Sequence, residues 1–185
     1  VADNSVDGII ANSSIDATKL QQQVKSALKE YFIIKDPVEL VLSFDDSGYS
    51  SFDSNTLSLI ISFVTTALFE STKTQETQLL LSFFSTLLNP TKYLDELRSV
   101  TKNPSQPPLF STPIIKQGIY KTVESLEDIL MDAPKALQNV SLLIACLCEN
   151  GVFSDRENEI KKLNIKNERI MQSLKEIIEQ KQVNE

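Results

Sequence analysis

Residues 125–136 read SLEDILMDAPKA, and they set three carboxylates, Glu127, Asp128 and Asp132, into a run that otherwise keeps helical apolar spacing. Pro134 follows at once. A helix opening at Thr112–Pro113 and carrying Ile115, Ile119, Val123 and Leu126 must stop by about Asp132, because Pro134 disfavours the α conformation at Ala133. The stop puts Asp132 where the next helix begins. Its carboxylate is placed to cap that helix, a contribution of about 1 kcal/mol. Capping leaves Asp128 unexplained, since it would lie towards the negative C-terminal end of its own helix. Were the helix to run through both acids, they would form an i,i+4 like-charge pair costing a few tenths of a kcal/mol, on the order of 0.2–0.5. Two acids kept at a helix–helix corner against these costs suggest an acidic rim for a cationic partner, most naturally arginine.

The wider pattern is all-α. Glycine is scarce at 4 residues in 185, while Leu, Ile, Glu, Gln and Lys are plentiful. From Asp16 the residues Leu20, Val24, Leu28, Tyr31 and Phe32 recur on one helical face. Asp36, Pro37 and Glu39 supply a cap, a first helical position and a capping-box acid for a second, short helix that ends in the turn-rich DDSGYSS. A third helix begins near Asp53 with Leu57, Ile60, Ile61, Val64 and Leu68. Thr74 opens a fourth with Leu80, Phe83, Phe84, Leu87 and Leu88. Residues 89–112 break the pattern with four prolines, and only YLDELRSV within them reads as a helical turn or two. After the corner, Leu137, Val140, Ile144 and Leu147 mark a helix closed by Asn150–Gly151. Successive helices joined by short turns imply stacked antiparallel hairpins.

Three segments follow. Residues 1–15 are a polar lead-in, 16–153 the helical domain with its proline-containing insertion at about 89–112, and 154–185 a tail. In the tail Ile160, Leu163, Ile170, Leu174 and Ile177 fall at spacings of three, seven, four and three, and Asn167 fills the vacant core position. Met171 and Ile178 widen the seam. This predicts a long amphipathic helix over about 154–182 with coiled-coil character. It folds back on the domain, self-associates or takes a partner helix.

Composition excludes more than it selects. Eighteen basic against 25 acidic residues give a net charge of −7, which repels phosphate backbones and favours a basic protein partner over nucleic acid. There is no histidine, no phosphate-cradling glycine motif and no cluster of metal ligands, so neither an enzyme nor a cofactor or metal site is expected. Cys146 and Cys148, at i,i+2 on a helix, point apart and cannot bridge each other. The longest apolar stretch, LSLIISFVTTALF at 57–69, is short of the roughly 20 residues a bilayer requires. With no disulfide framework and no signal peptide in the sequence, a cytoplasmic protein is expected. The chain begins with Val1, as a piece of a longer scaffold would.

GIYKTVESLEDILMDAPKA at 118–136 resembles the signature of the MA-three (MI) domain of translation proteins, with its leading glycine, its Leu-x-Asp and its Asp-x-Pro-x-Ala. KEYFIIKDPVEL at 29–40 is similar to that family's opening helix pair, and ENGVF at 149–153 to its closing segment, in the expected order. The variant at the corner is most similar to the copy in initiation factor four-gamma scaffolds, and next to the programmed-cell-death-four suppressors. The resemblance implies a HEAT-like stack of helical hairpins that docks the DEAD-box helicase of translation initiation. It also implies that the residues facing the helicase are Asp128, Asp132 and Pro134, with Glu127 a weaker neighbour. Scaffolds of this family promote helicase work and suppressors block it, and one domain is compatible with either. The chain departs from the family pattern in lacking a histidine in DDSGYSSF and in the length and proline content of 89–112, which is either a binding loop or disorder.

Overall fold

The computed structural model describes residues 16–46, 52–105, 107–154 and 156–183. The expected lead-in at 1–15 and residues 47–51 of the expected turn lie outside the described residues. The described residues are helical, without strands: α1 Ala17–Ile34, α2 Pro37–Asp46, α3 Ser54–Glu70, α4 Thr74–Leu88, α5 Thr91–Thr101, α6 Thr112–Val123, α7 Leu126–Asp132, α8 Ala136–Glu149, α9 Arg156–Lys162 and α10 Glu168–Val183.

Local chemistry sets the boundaries. Asp16 caps α1 by accepting from the Thr18 and Lys19 amides at 2.9 and 3.4 Å. Asp36 accepts from Val38 N at 2.9 Å with Pro37 at the first helical position, and Asp53 accepts from Thr56 N at 2.7 Å. Gly151 follows α8 with φ +72°, the left-handed conformation that glycine adopts without strain.

The helices stack as hairpins around α3, which packs against α1, α4, α6, α7 and α8. Leu57, Ile60, Ile61, Val64, Leu68 and Phe69 of α3 are all buried, so this helix is enclosed on nearly every side, as an apolar helix must be. An aromatic cluster sits at one flank of the core. Phe44 of α2 meets Phe83 of α4 and Phe110 edge-on, with ring centroids 6.3 and 6.0 Å apart. Phe110 is the end of the proline-rich insertion. With Tyr93, Leu97 and Leu109 also buried, that segment is α5 plus a strap anchored in the core rather than a free loop.

The α3–α6 contact is the closest in the stack. A Cβ added at Gly118 would stand 2.5 Å from the Ser58 carbonyl oxygen and 2.6 Å from Ile61 Cβ. One turn on, Thr122 Oγ1 lies 2.9 Å from Ser62 Oγ and donates towards the Ser62 and Gly118 carbonyls, both at 3.1 Å. Small residues let the backbones approach, and the buried hydroxyls satisfy each other.

The tail corrects one expectation and narrows another. It is two helices rather than one long helix, and of the alternatives left open its apolar stripe takes the first, folding back on the domain. Leu163 N bonds back to Ile160 O at 3.2 Å, Asn164 turns into the left-handed region at φ +52°, and the chain restarts at Asn167. Asn167, expected in a coiled-coil core position, instead caps α10, its Oδ1 accepting from Arg169 N and Ile170 N at 3.1 and 3.4 Å. Leu174 and Ile178 are buried and α10 packs on α8, with Ile170, Met171 and Ile177 half-buried. Ile160 and Leu163 enter the same core.

A buried carboxylate fastens α9 to α6. Glu159 is 7% exposed. It accepts from Tyr120 Oη at 2.9 Å and lies 3.4 Å from Lys116 Nζ and 3.1 Å from Lys162 Nζ. Burial pushes its carboxyl up, but the Tyr120 hydroxyl and the two ammonium groups outweigh burial and hold it below its ordinary 4.5.

Two outcomes are expected. Gly118→Ala destabilises the chain by about 1–3 kcal/mol, because the backbone of α3 cannot yield and overpacking exceeds the gain in helix propensity. Chemical denaturation reads this directly, and an unchanged midpoint would mean that α3 and α6 are not in backbone contact. For Glu159, a folded-state value lowered below 4.5 means that the ionised form stabilises the fold. That contribution is complete above the ordinary value and is lost as the pH falls through the lowered one. Urea unfolding at a series of pH values should therefore show stability dropping on acidification, and Glu159→Gln should reduce stability at neutral pH and flatten the drop.

Candidate functional site

The run that begins at Thr112 is not one helix. Glu124 N bonds to Tyr120 O at 3.1 Å, but Ser125 N tightens onto Thr122 O at 3.0 Å, and α7 restarts at Leu126 with Ile129 N bonded to Ser125 O at 3.1 Å. Val123 and Leu126 are both buried, so the apolar register crosses the break without a gap, which hides it in the sequence. The break changes the electrostatics of the corner. Glu127 and Asp128 lie in the first turn of α7, where the exposed amides favour an anion, rather than near a C-terminal end. Asp132 is the last residue of α7 and does not cap α8, whose N-cap position is Lys135 with no side-chain cap bond. Asp128 and Asp132 are thus an i,i+4 pair on one short helix.

Pro134 shapes the turn as expected. Ala133 leaves the helical region at φ −127°, ψ 82°, its N–H bonding Ile129 O at 2.9 Å, and Ala136 N returns to Ala133 O at 2.9 Å. Ala133 and Ala136 are buried while Asp132, Pro134 and Lys135 face solvent, so the DAPKA alternation puts its small residues in the core. Lys135 Nζ lies 3.3 Å from the Thr72 carbonyl, on the α3–α4 connection.

Asn139, one turn into α8, fixes where the corner sits. It is buried, and its Nδ2 lies 2.9 Å from Leu68 O, 2.9 Å from Ser71 O and 3.3 Å from Phe69 O. These carbonyls lie at the C-terminal end of α3, where Leu68 O also accepts from Ser71 N at 3.2 Å, and a buried helix end must satisfy them. Nothing in the apolar periodicity marks Asn139. Its signal is an amide side chain on the buried face of α8, between Ala136 and Val140.

The four residues expected at the partner surface are brought together but do not behave alike. Asp128, Asp132 and Pro134 are exposed, and neither aspartate has a hydrogen bond or ion pair among the described residues. Glu127 is exposed too, but its Oε1 accepts from Asn167 Nδ2 at 2.8 Å, so the start of α10 engages it. Met131, which the charge pattern passed over, stands on the same face and is 76% exposed.

No group of three or more possible metal ligands forms among the described residues, and no described helix is long and apolar enough to cross a membrane. The two cysteines are free; burial pushes the Cys146 thiol up to about 11, with the Glu149 charge adding to it.

No protein-family model matches the chain, and no solved structure matches it. It is 28% identical over 153 residues to eukaryotic translation initiation factor 4G of Oryza sativa subsp. japonica, an alignment covering 83% of this chain and 7% of the relative. The chain is similar to a small region of that factor.

Asn139→Ala is expected to cost about 1–3 kcal/mol, since it strands buried carbonyls at the end of α3. The loss should appear in thermal unfolding, and in hydrogen exchange it should be larger at the α3 C-terminus and the α8 start than elsewhere. Uniform protection changes would count against this placement.

Proposed function

We propose that this chain is an adaptor module of translation initiation whose α7–α8 corner docks the DEAD-box initiation helicase. The observation that carries the reading is the pair Asp128 and Asp132, exposed, four residues apart on one short helix and without a counter-ion among the described residues. Pro134 stands beside them as a rigid apolar contact. Similarity to a region of initiation factor 4G supports the initiation setting, and the three sequence blocks of the MA-three pattern support the helicase as partner. The net charge of −7 favours a basic protein surface over RNA. Such a module acts in the cytoplasm and carries out no chemistry of its own.

The similarity to factor 4G weighs for a scaffold that promotes helicase work over a suppressor that sequesters it. Oligomerisation through the tail is disfavoured, because Ile160, Leu163, Leu174 and Ile178 are buried in the chain's own core.

Co-purification and titration calorimetry with the initiation helicase test the reading, comparing the wild-type chain with Asp128→Lys/Asp132→Lys. Both sites are exposed, so helicity and thermal midpoint should stay close to wild type. Binding should weaken about 100-fold or more, since like charges would face the partner's cations. Undiminished binding by the folded double variant would move the interface elsewhere.

A further inference from the structure

The outer face of α7 carries an apolar side chain that the fold does not use. At about 100° per residue, Leu126, Ile129 and Leu130 turn inward while Glu127, Asp128, Met131 and Asp132 share the outward face. Met131 is 76% exposed, with Asp128 one turn before it, Asp132 beside it and Pro134 just past the helix end. Isolated exposed hydrophobic residues such as Val100 are ordinary. Met131 differs in its company, because the carboxylates flanking it have no partner among the described residues.

We infer that Met131 is the apolar anchor of the docking surface, seated in a recess of a basic protein partner whose cationic side chains straddle it to reach Asp128 and Asp132. The inference rests on the docking role proposed above and adds what the partner must look like. An interface of charges alone is screened by salt and gives little affinity, whereas an apolar residue desolvated at the centre of a charged ring is the usual source of strong binding. Methionine is unbranched and polarisable, which suits a recess of irregular shape. The carboxylates then steer the encounter and fix its orientation. The same face repels phosphate, so neither RNA nor an anionic membrane is a matching occupant.

The test is binding of the full chain to the DEAD-box initiation helicase at low and high salt, with Met131→Ala, Met131→Leu and Asp128→Asn/Asp132→Asn. Met131→Ala should weaken binding about tenfold or more. The factor should be the same at both salt concentrations, because the lost contact is apolar. Met131→Leu should keep most of the affinity. The double Asn variant should lose affinity at low salt and approach wild type at high salt. If Met131→Ala binds as wild type while the Asn variant is weakened, the anchor is wrong and the docking role stands. If the wild-type chain does not bind the helicase at all, the docking role fails and the anchor with it.

Discussion

Asn139 holds the end of α3 to the beginning of α8, and the placement of the corner depends on that contact. The last carbonyls of a helix enclosed in a stack need partners from the chain itself. A single amide from the next hairpin satisfies them here. Since the amide sits one turn into α8, the same bonds fix where α8 starts. They therefore fix where Ala133–Lys135 must turn and which way α7 points. A buried polar contact of this kind contributes modestly to net stability but is expensive to leave half-made, so it selects one arrangement among several of similar burial. Gly118 works to the same end from the other side, allowing α6 close enough to α3 that α7 is delivered to a defined position.

Against that frame the acidic pair is energetically inexpensive. An i,i+4 like-charge pair costs about 0.2–0.5 kcal/mol, and Asp132 at the C-terminal end of a seven-residue helix adds a penalty of similar size. Asp128 recovers part of this from the first turn of α7. Sums this small, set against a typical stability of about 5–15 kcal/mol, neither require nor forbid two aspartates at the corner. Their cost alone therefore carries little functional weight. The geometry carries more: the carboxylates are four residues apart on one helix, exposed and without a partner among the described residues, while Lys135, the nearest cation in sequence, is turned to a carbonyl of the α3–α4 connection.

Most helix positions were legible in the sequence because they rest on short-range chemistry. Asp16, Asp36 and Asp53 each cap the helix they were expected to start, and Leu20, Val24, Leu28, Ile60, Ile61, Val64, Phe83 and Ile144 all enter the core. Three features escaped because they depend on tertiary context. The break between α6 and α7 is invisible to periodicity, since Val123 and Leu126 stay in register across it. Asn167 fits a heptad core position and an N-cap equally well, and only the left-handed turn at Asn164 decides between them. Asn139 went unmarked because its acceptors lie about seventy residues away in sequence. At the corner, the residues marked the acids and the proline, and only the family resemblance set Glu127 apart as the weaker neighbour; its bond to Asn167 could not be foreseen, because that partner comes from the tail.

The tail gives the corner an asymmetry. By taking Glu127, Asn167 ties one edge of α7 to the start of α10, and Glu159 holds α9 against α6 behind it. The edge carrying Asp128, Asp132 and Pro134 has no such cover among the described residues. Any partner approaching α7 therefore meets an occupied side and an open side, and the open side is where exposed carboxylates and Met131 coincide. An exposed hydrogen bond to Glu127 is weak, worth at most about 1 kcal/mol against water. It biases rather than blocks, and it leaves α9 and α10 attached mainly by the burial of Ile160, Leu163, Leu174 and Ile178. A coiled-coil role for the tail would require pulling those four residues out of the core, at about 1.5–3 kcal/mol each before any new contact forms. The tail therefore braces the corner from one side and leaves the outward face of α7 exposed.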